Sequence, residues 1–234
     1  MNDFGAAFLT AAHLLGARDP ALVEIVVLSL QVSLTATLLA TVVGLPLGAA
    51  VAVYRFPGRA LVTALLNAFM GLPPVVVGLA VYLLLSRAGP LGELGLLFTP
   101  TAMVIAQSIL VIPIVAALTR QTVADLHNEY RDELDSLGTG GLGTIGVLLW
   151  DGRFSLVTAV LAGLGRAIAE VGAVIIVGGN INHVTRVMTT AITLETSKGD
   201  LPLAMALGII LVSLALMINL AALGVRRVAE VRYG

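Results

Sequence analysis

The stretch SLTATLLATVVGLPLGAAVAV, Ser33 to Val53, carries no charged side chain. At ~1.5 Å per residue, a helix of this length crosses the roughly 30 Å hydrocarbon core of a bilayer. The run does not alternate with period two, so it suits a helix and not a barrel strand. Working outward, the apolar segment covers about 24–53, and four more follow at 60–86, 101–119, 154–178 and 201–225. Composition agrees: 58% of the 234 residues are hydrophobic and 12% charged, against about a quarter charged in soluble domains. Mean hydropathy is +1.02. The expected fold is an all-α integral membrane protein with five transmembrane helices, residues 1–234 forming one transmembrane domain. Residues 4–17, FGAAFLTAAHLLGA, are too short to span and read as a helix lying at the interface, ended by ARDP.

Charge sets the expected orientation. With 54–59, 120–153 and the C-terminal tail on the cytoplasmic side, that side holds Arg55, Arg59, Arg120, Arg131, Arg153, Arg226, Arg227 and Arg232. The other side holds Arg18, Arg87, Arg186 and Lys198, and Arg166 remains within the membrane. The positive-inside rule then puts the N-terminus outside and the C-terminus in the cytoplasm. A net charge of −1 gives no nucleic-acid surface, and the absence of cysteine excludes disulfides and thiolate metal sites. His13, His127 and His183 lie in different segments without metal-ligand spacing. No basic n-region or small-residue cleavage site marks a signal peptide, so the whole chain reads as mature.

One loop is chemically distinct. RQTVADLHNEYRDELDSLGTGGLGTIGVLLWDGR, Arg120 to Arg153, gathers acids and then glycines. NEYRDELDSLG is expected to form an exposed helix ended by Gly138, a surface for docking a soluble partner or simply a solvated loop. The glycines do not make a phosphate-binding P-loop, because the only lysine is Lys198. If ATP drives this protein, another chain must bind it.

These residues resemble the membrane subunits of ATP-binding-cassette importers of the small, five-to-six-helix type. That family carries E-A-A-x-x-x-G in its cytoplasmic loop. Alignment on Gly138 puts Asp132, Glu133 and Leu134 on the E-A-A positions, without either alanine, and Trp150-Asp151 on the later Leu-Pro. Ser33–Val53 and GLPPVVVGLAVYLLL, Gly71 to Leu85, resemble the first two core helices of the oxyanion branch. GRAIAEVGAVIIVGGNINHVTRVMTTAITLETSKGD, Gly165 to Asp200, is similar to the G-E-F-G-A…G-N-I-x-x-x-T pattern of molybdate and sulfate permeases, and most similar to tungstate-type permeases. The resemblance covers about 20–230. It implies the type I importer permease fold and a homodimer forming the translocation path. It also implies two ATPase subunits docked on 132–147 and a periplasmic or lipid-anchored binding protein that delivers the oxyanion. No cofactor is expected on this chain; ATP and Mg²⁺ belong to the partner ATPase.

Within 154–178, Arg166 and Glu170 stand four residues apart, which on a continuous helix puts them on one face. A lone charge at mid-membrane costs roughly 2.5–3.5 kcal/mol on insertion scales, so the face is expected to point into the bundle or the path. Two readings stay open. Arg166 supplies positive potential for the oxyanion while Glu170 tunes it, or the pair locks the helix to Asn67, Gln107 or Ser108. Pro73-Pro74 are expected to break the second span, as a kink or a gate, and Gly44, Pro46 and Gly48 to serve close helix packing. Asn180, Asn182, Thr185 and Arg186 are expected at the outer gate or the binding-protein contact. The rival class is an ion-gradient-driven secondary transporter, which usually shows an internal repeat and midplane carboxylates. No repeat is evident here, and Glu170 is the one deep acid. An intramembrane enzyme is disfavoured, since H-E-x-x-H, paired membrane aspartates and G-x-S-x-G are all missing.

Overall fold

A computed structural model describes residues 3–17, 19–136 and 138–233. Arg18 and the side chains of Arg226 and Arg232, which enter the orientation argument, lie outside the described residues. Every regular element among the described residues is helical. In chain order they are α1 (Asp3–Ala17), α2 (Pro20–Val53), α3 (Arg59–Phe69), α4 (Pro74–Leu85), α5 (Pro100–Glu129), α6 (Arg131–Ser136), α7 (Gly141–Asp151), α8 (Arg153–Ile168), α9 (Gly172–Gly178), α10 (Met188–Lys198) and α11 (Leu201–Tyr233), with a single 3-10 turn at Gly92–Leu94. Three helices are long and apolar enough to cross a membrane: α2, α5 and the Leu201–Gly224 part of α11. Two interrupted pairs, α3 with α4 and α7 with α8, qualify when each is taken together, giving three to five candidate spans. The chain is a multi-pass membrane protein.

Local chemistry explains the helix ends. Asp19 opens α2 through Oδ1, which accepts the N–H groups of Ala21 at 2.9 Å and Leu22 at 3.1 Å, with Pro20 as the first helical residue. Asp200 does the same for α11 through the Leu203 N–H, at 3.1 Å. At the other end of α2, the Arg59 guanidinium donates to the carbonyls of Val51 at 2.8 Å and Ala52 at 2.7 Å. Those are carbonyls of the last turn, where a cation also complements the helix dipole. Pro73 and Pro74 stand at the start of α4, as N-cap and first residue, after α3 ends at Phe69. The expected break in the second segment is therefore there. Pro46 and Pro113 lie inside α2 and α5, which continue past them.

The chain divides into two compact units. The first comprises Met1–Thr35, Pro73–Gln107 and Ile168–Ala222. Its core gathers Ala11, Leu22, Met188, Ala191, Ala206, Leu207 and Ile210. There α4 packs on α9 backbone to backbone: a Cβ on Gly78 would lie 2.7 Å from Ala173 Cα, so only glycine fits. Ser29 Oγ accepts the Met188 N–H at 2.8 Å and joins α2 to the start of α10. The second unit comprises Ala36–Leu72, Ser108–Ala167 and Leu223–Gly234. In it α2 lies against α5 at Gly44 and Gly48, where a Cβ on Gly48 would collide with the Ala116 carbonyl. Small residues permit this approach, and dispersion holds helices together where lipid is as apolar as leucine. A second cluster of this unit packs Ala49, Ala52, Val123, Leu134 and Leu148.

Three expectations need correction. The helix expected to end near residue 119 continues as α5 to Glu129, because TRQTVADLHNE keeps a helical pattern with Val123 fully buried. The single loop helix expected over NEYRDELDSLG is divided at Tyr130, α6 being six residues long. The fourth segment, 154–178, is not one helix: α8 stops at Ile168 and α9 begins at Gly172.

Candidate functional site

The break at 169–171 changes the meaning of the two buried-segment charges. Arg166 lies in the last turn of α8, half-buried, where a cation complements the carbonyl end of the helix. Glu170 lies past that end, in the break before α9. Its side chain is 2% exposed, and Oε1 accepts the Ala173 N–H at 2.9 Å. The carboxylate therefore sits on the open amide end of α9, where hydrogen bonding and the helix dipole both favour a negative charge. The backbone carbonyl of Glu170 accepts the hydroxyl of Thr189, at 2.9 Å, tying the break to α10. Of the expected anchor residues, Gln107 and Ser108 are buried and Asn67 is exposed.

The segment after α9 forms a second arrangement in the same unit. Gly179 and Asn180 adopt left-handed backbone, with φ of 71° and 51°. Thr185 is fully buried; its hydroxyl accepts the Ile181 N–H at 3.0 Å and donates to the Gly178 carbonyl. This closes the turn from 178 to 185 and sets the next residue. Arg186 Nε donates to Asn180 Oδ1 at 3.3 Å and its terminal amine donates to Asn182 Oδ1 at 2.9 Å. Two neutral amide oxygens thus orient the guanidinium without neutralising it. Beside them His183 Nδ1 meets Glu24 Oε2 at 2.7 Å. Asn180, Asn182, Thr185 and Arg186 all lie in this one turn.

The residues of the 120–153 segment form a third group, in the second unit. Asp132 and Glu133 are exposed on α6, while Leu134 is buried among Ala49, Ala52, Val123 and Leu148. Gly138 turns the chain at φ 63°, and both the N–H and the hydroxyl of Thr139 return to the Leu134 carbonyl, at 3.4 and 3.2 Å. This is the glycine-terminated helix end that left-handed backbone allows. Gly141 then lies flat on Tyr54: a Cβ there would be 2.5 Å from the ring. On α7, Leu142, Val147 and Trp150 are exposed, and the Arg153 guanidinium stacks 4.8 Å from the Trp150 ring and 4.4 Å from Phe154. The Asp151 carboxylate, followed by that of Glu129, holds the Tyr130 phenol above the usual tyrosine range. Sequence reading missed Arg59 and the Tyr130–Asp151 contact. Both are single polar residues whose partners lie on another turn or helix, with no spacing rule to reveal them.

The chain is 44% identical over 210 residues, 88% of its length, to a probable anion ABC transporter permease protein of Haloferax volcanii, and covers 90% of that protein. It belongs to the ABC transporter permeases. A tungstate uptake system permease protein, TupB, of Peptoclostridium acidaminophilum is 42% identical over 219 residues, 94% of this chain and 96% of that one. TupB of Campylobacter jejuni is 37% identical over 166 residues, 71% of this chain and 70% of the other. No family model matches the chain. As an ABC permease it is a transport subunit and not an enzyme.

Proposed function

We propose that this permease imports tungstate, as one of two identical subunits around a path. It works with two copies of an ATP-hydrolysing subunit and a separate extracytoplasmic oxyanion-binding protein. Five spans of the type I importer fold, with the N-terminus outside and the C-terminus cytoplasmic, form one transmembrane domain. The single observation that carries the substrate is the 42% identity to a tungstate uptake permease over 94% of the chain. The site chemistry is compatible with it. Arg186, oriented by neutral amides, offers positive potential to a dianion without the permanent grip of a buried ion pair. Asn180 and Thr185 shape that turn; earlier in the chain, Arg166 stands in the last turn of α8 and Glu170 in the break that follows it. Asp132, Glu133, Leu134 and Gly138 form the docking element for the ATPase: two acids face outward while the leucine anchors the element to its own unit. Closure of the ATPase pair on ATP and Mg²⁺ would be transmitted through it as rigid-body switching.

The test is cellular tungsten and molybdenum by elemental mass spectrometry at trace external oxyanion, in cells lacking the chain and in complemented cells. Selective loss of tungsten, restored by complementation, is expected. Unchanged tungsten reassigns the substrate, and selective loss of molybdenum, or of radiolabelled sulfate uptake, names the replacement.

A further inference from the structure

In the first unit, the chain after α4 folds over the end of that helix and forms an open-mouthed cavity of about 510 Å³. Its walls include Tyr82 and Leu85 from α4, Ser86 and Arg87 just beyond it, and Leu97 and Phe98 from the far end of the loop. The loop is held by its own backbone. The Leu91 N–H donates to the Leu84 carbonyl at 3.0 Å, and that of Gly89 to the Ser86 carbonyl at 2.7 Å. The Phe98 N–H donates to the Val177 carbonyl on α9, at 2.9 Å. Phe98 takes left-handed backbone, φ 63°, and its ring meets Tyr82 edge-on with centroids 6.2 Å apart. A strained aromatic held by a backbone bond and a ring contact makes a fixed wall. Arg87 is the charged side chain among the residues that line the cavity. Among the described residues no carboxylate forms an ion pair with it, Glu93 of the same loop included.

Position decides what such a cavity meets. The apolar helix α4 ends at Leu85 and the apolar helix α5 begins at Pro100, so the intervening loop lies where hydrocarbon gives way to headgroups, whichever side of the membrane it faces. Leu83, Leu91 and Leu94 are exposed around it. Tyrosine and arginine are the residues that settle at this level, and a planar guanidinium pairs with phosphate oxygens. A volume of this size suits a small organic group, and a bare tetrahedral ion would leave most of it to water. We infer that the cavity is a phospholipid site: Arg87 holds the headgroup phosphate, while Tyr82 and Phe98 flank the glycerol and the first acyl carbons.

The experiment is native mass spectrometry of the full-length protein in mild detergent, titrated with dioctanoyl-phosphatidylglycerol. Expected is a saturable adduct that weakens at least tenfold in Arg87→Gln, keeps within about threefold of wild type in Glu93→Gln, and is not formed by dioctanoylglycerol, which lacks phosphate. Sodium phosphate at millimolar concentration should leave the adduct in place. Displacement by the free ion would make this a site for soluble oxyanions and overturn the lipid assignment; equal binding by Arg87→Gln would overturn the site. A second measurement needs no variant. Phosphatidylglycerol carrying a diazirine beside the phosphate should label the peptide spanning 82–98 above all others, and labelling concentrated elsewhere or spread evenly would overturn the proposal.

Discussion

Glu170 shows how a carboxylate is tolerated deep in an apolar chain. Burying it without partners would cost several kcal/mol, but the amide end of α9 supplies a hydrogen bond and a favourable dipole. Removing a capping acceptor costs about 0.5–2 kcal/mol. Glu170→Ala is therefore expected to lower the thermal unfolding midpoint of the detergent-purified protein, and by more than Glu170→Gln, which keeps the side-chain oxygen. If both destabilise equally, the charge and not the acceptor is what the fold uses. Tyr130 gives a pH-dependent counterpart outside the spans. The neighbouring Asp151 and Glu129 carboxylates raise its pKa, so the folded state holds the phenol proton more tightly than the unfolded chain does. Stability from this source is complete below the ordinary tyrosine value of about 10 and is lost as pH rises through the raised one. In a 295 nm alkaline titration, the step removed by Tyr130→Phe should shift to lower pH in Asp151→Asn.

At the scale of elements, α6 presents two acids on one side and one leucine on the other. Reversing the acids with Asp132→Lys and Glu133→Lys should leave the protein folded and abolish co-purification of the ATPase. Leu134→Ala empties a buried position and should cost about 2–5 kcal/mol. If the reversed variant still co-purifies its ATPase, α6 is not the docking element. Much of this element was legible beforehand. The acid-to-glycine spacing pointed to a helix ended at Gly138, and positive φ at that residue agrees. The break at 169–171 was not, because AEVG contains no proline and carries the same apolar pattern as its flanks. What holds it open is distant in sequence: the Thr189 hydroxyl on the Glu170 carbonyl, and α4 pressed on α9 through Gly78. The same reasoning explains why Pro73-Pro74 could be read from the chain, since proline acts on its own backbone. Arg87 was read only as one of the outer charges; its cavity depends on the left-handed Phe98, which no local rule foretells.

For the molecule as a whole, the proposed orientation rests on the count of eight basic residues on one side against four on the other. The chain contains no cysteine, so any single introduced thiol reports without background. Asn182 is exposed in the turn after α9, and Ser136 is exposed at the end of α6. The proposed topology puts them on opposite faces of the membrane. In intact cells, Asn182→Cys should react with a membrane-impermeant maleimide, and Ser136→Cys should react only after the membrane is opened. The reverse pattern would turn the protein over, moving Arg186 to the cytoplasm and α6 outside, where no ATPase can reach it. That outcome would end the importer reading of both sites at once. Equal labelling of both thiols in sealed cells would instead remove the odd number of spans between them and with it the five-span arrangement. Asn182 lends Oδ1 to Arg186, so the Cys variant should also weaken the orientation of that guanidinium. Labelling at Ser197→Cys, exposed near the end of α10 on the same proposed face, therefore has to agree before the topology is accepted.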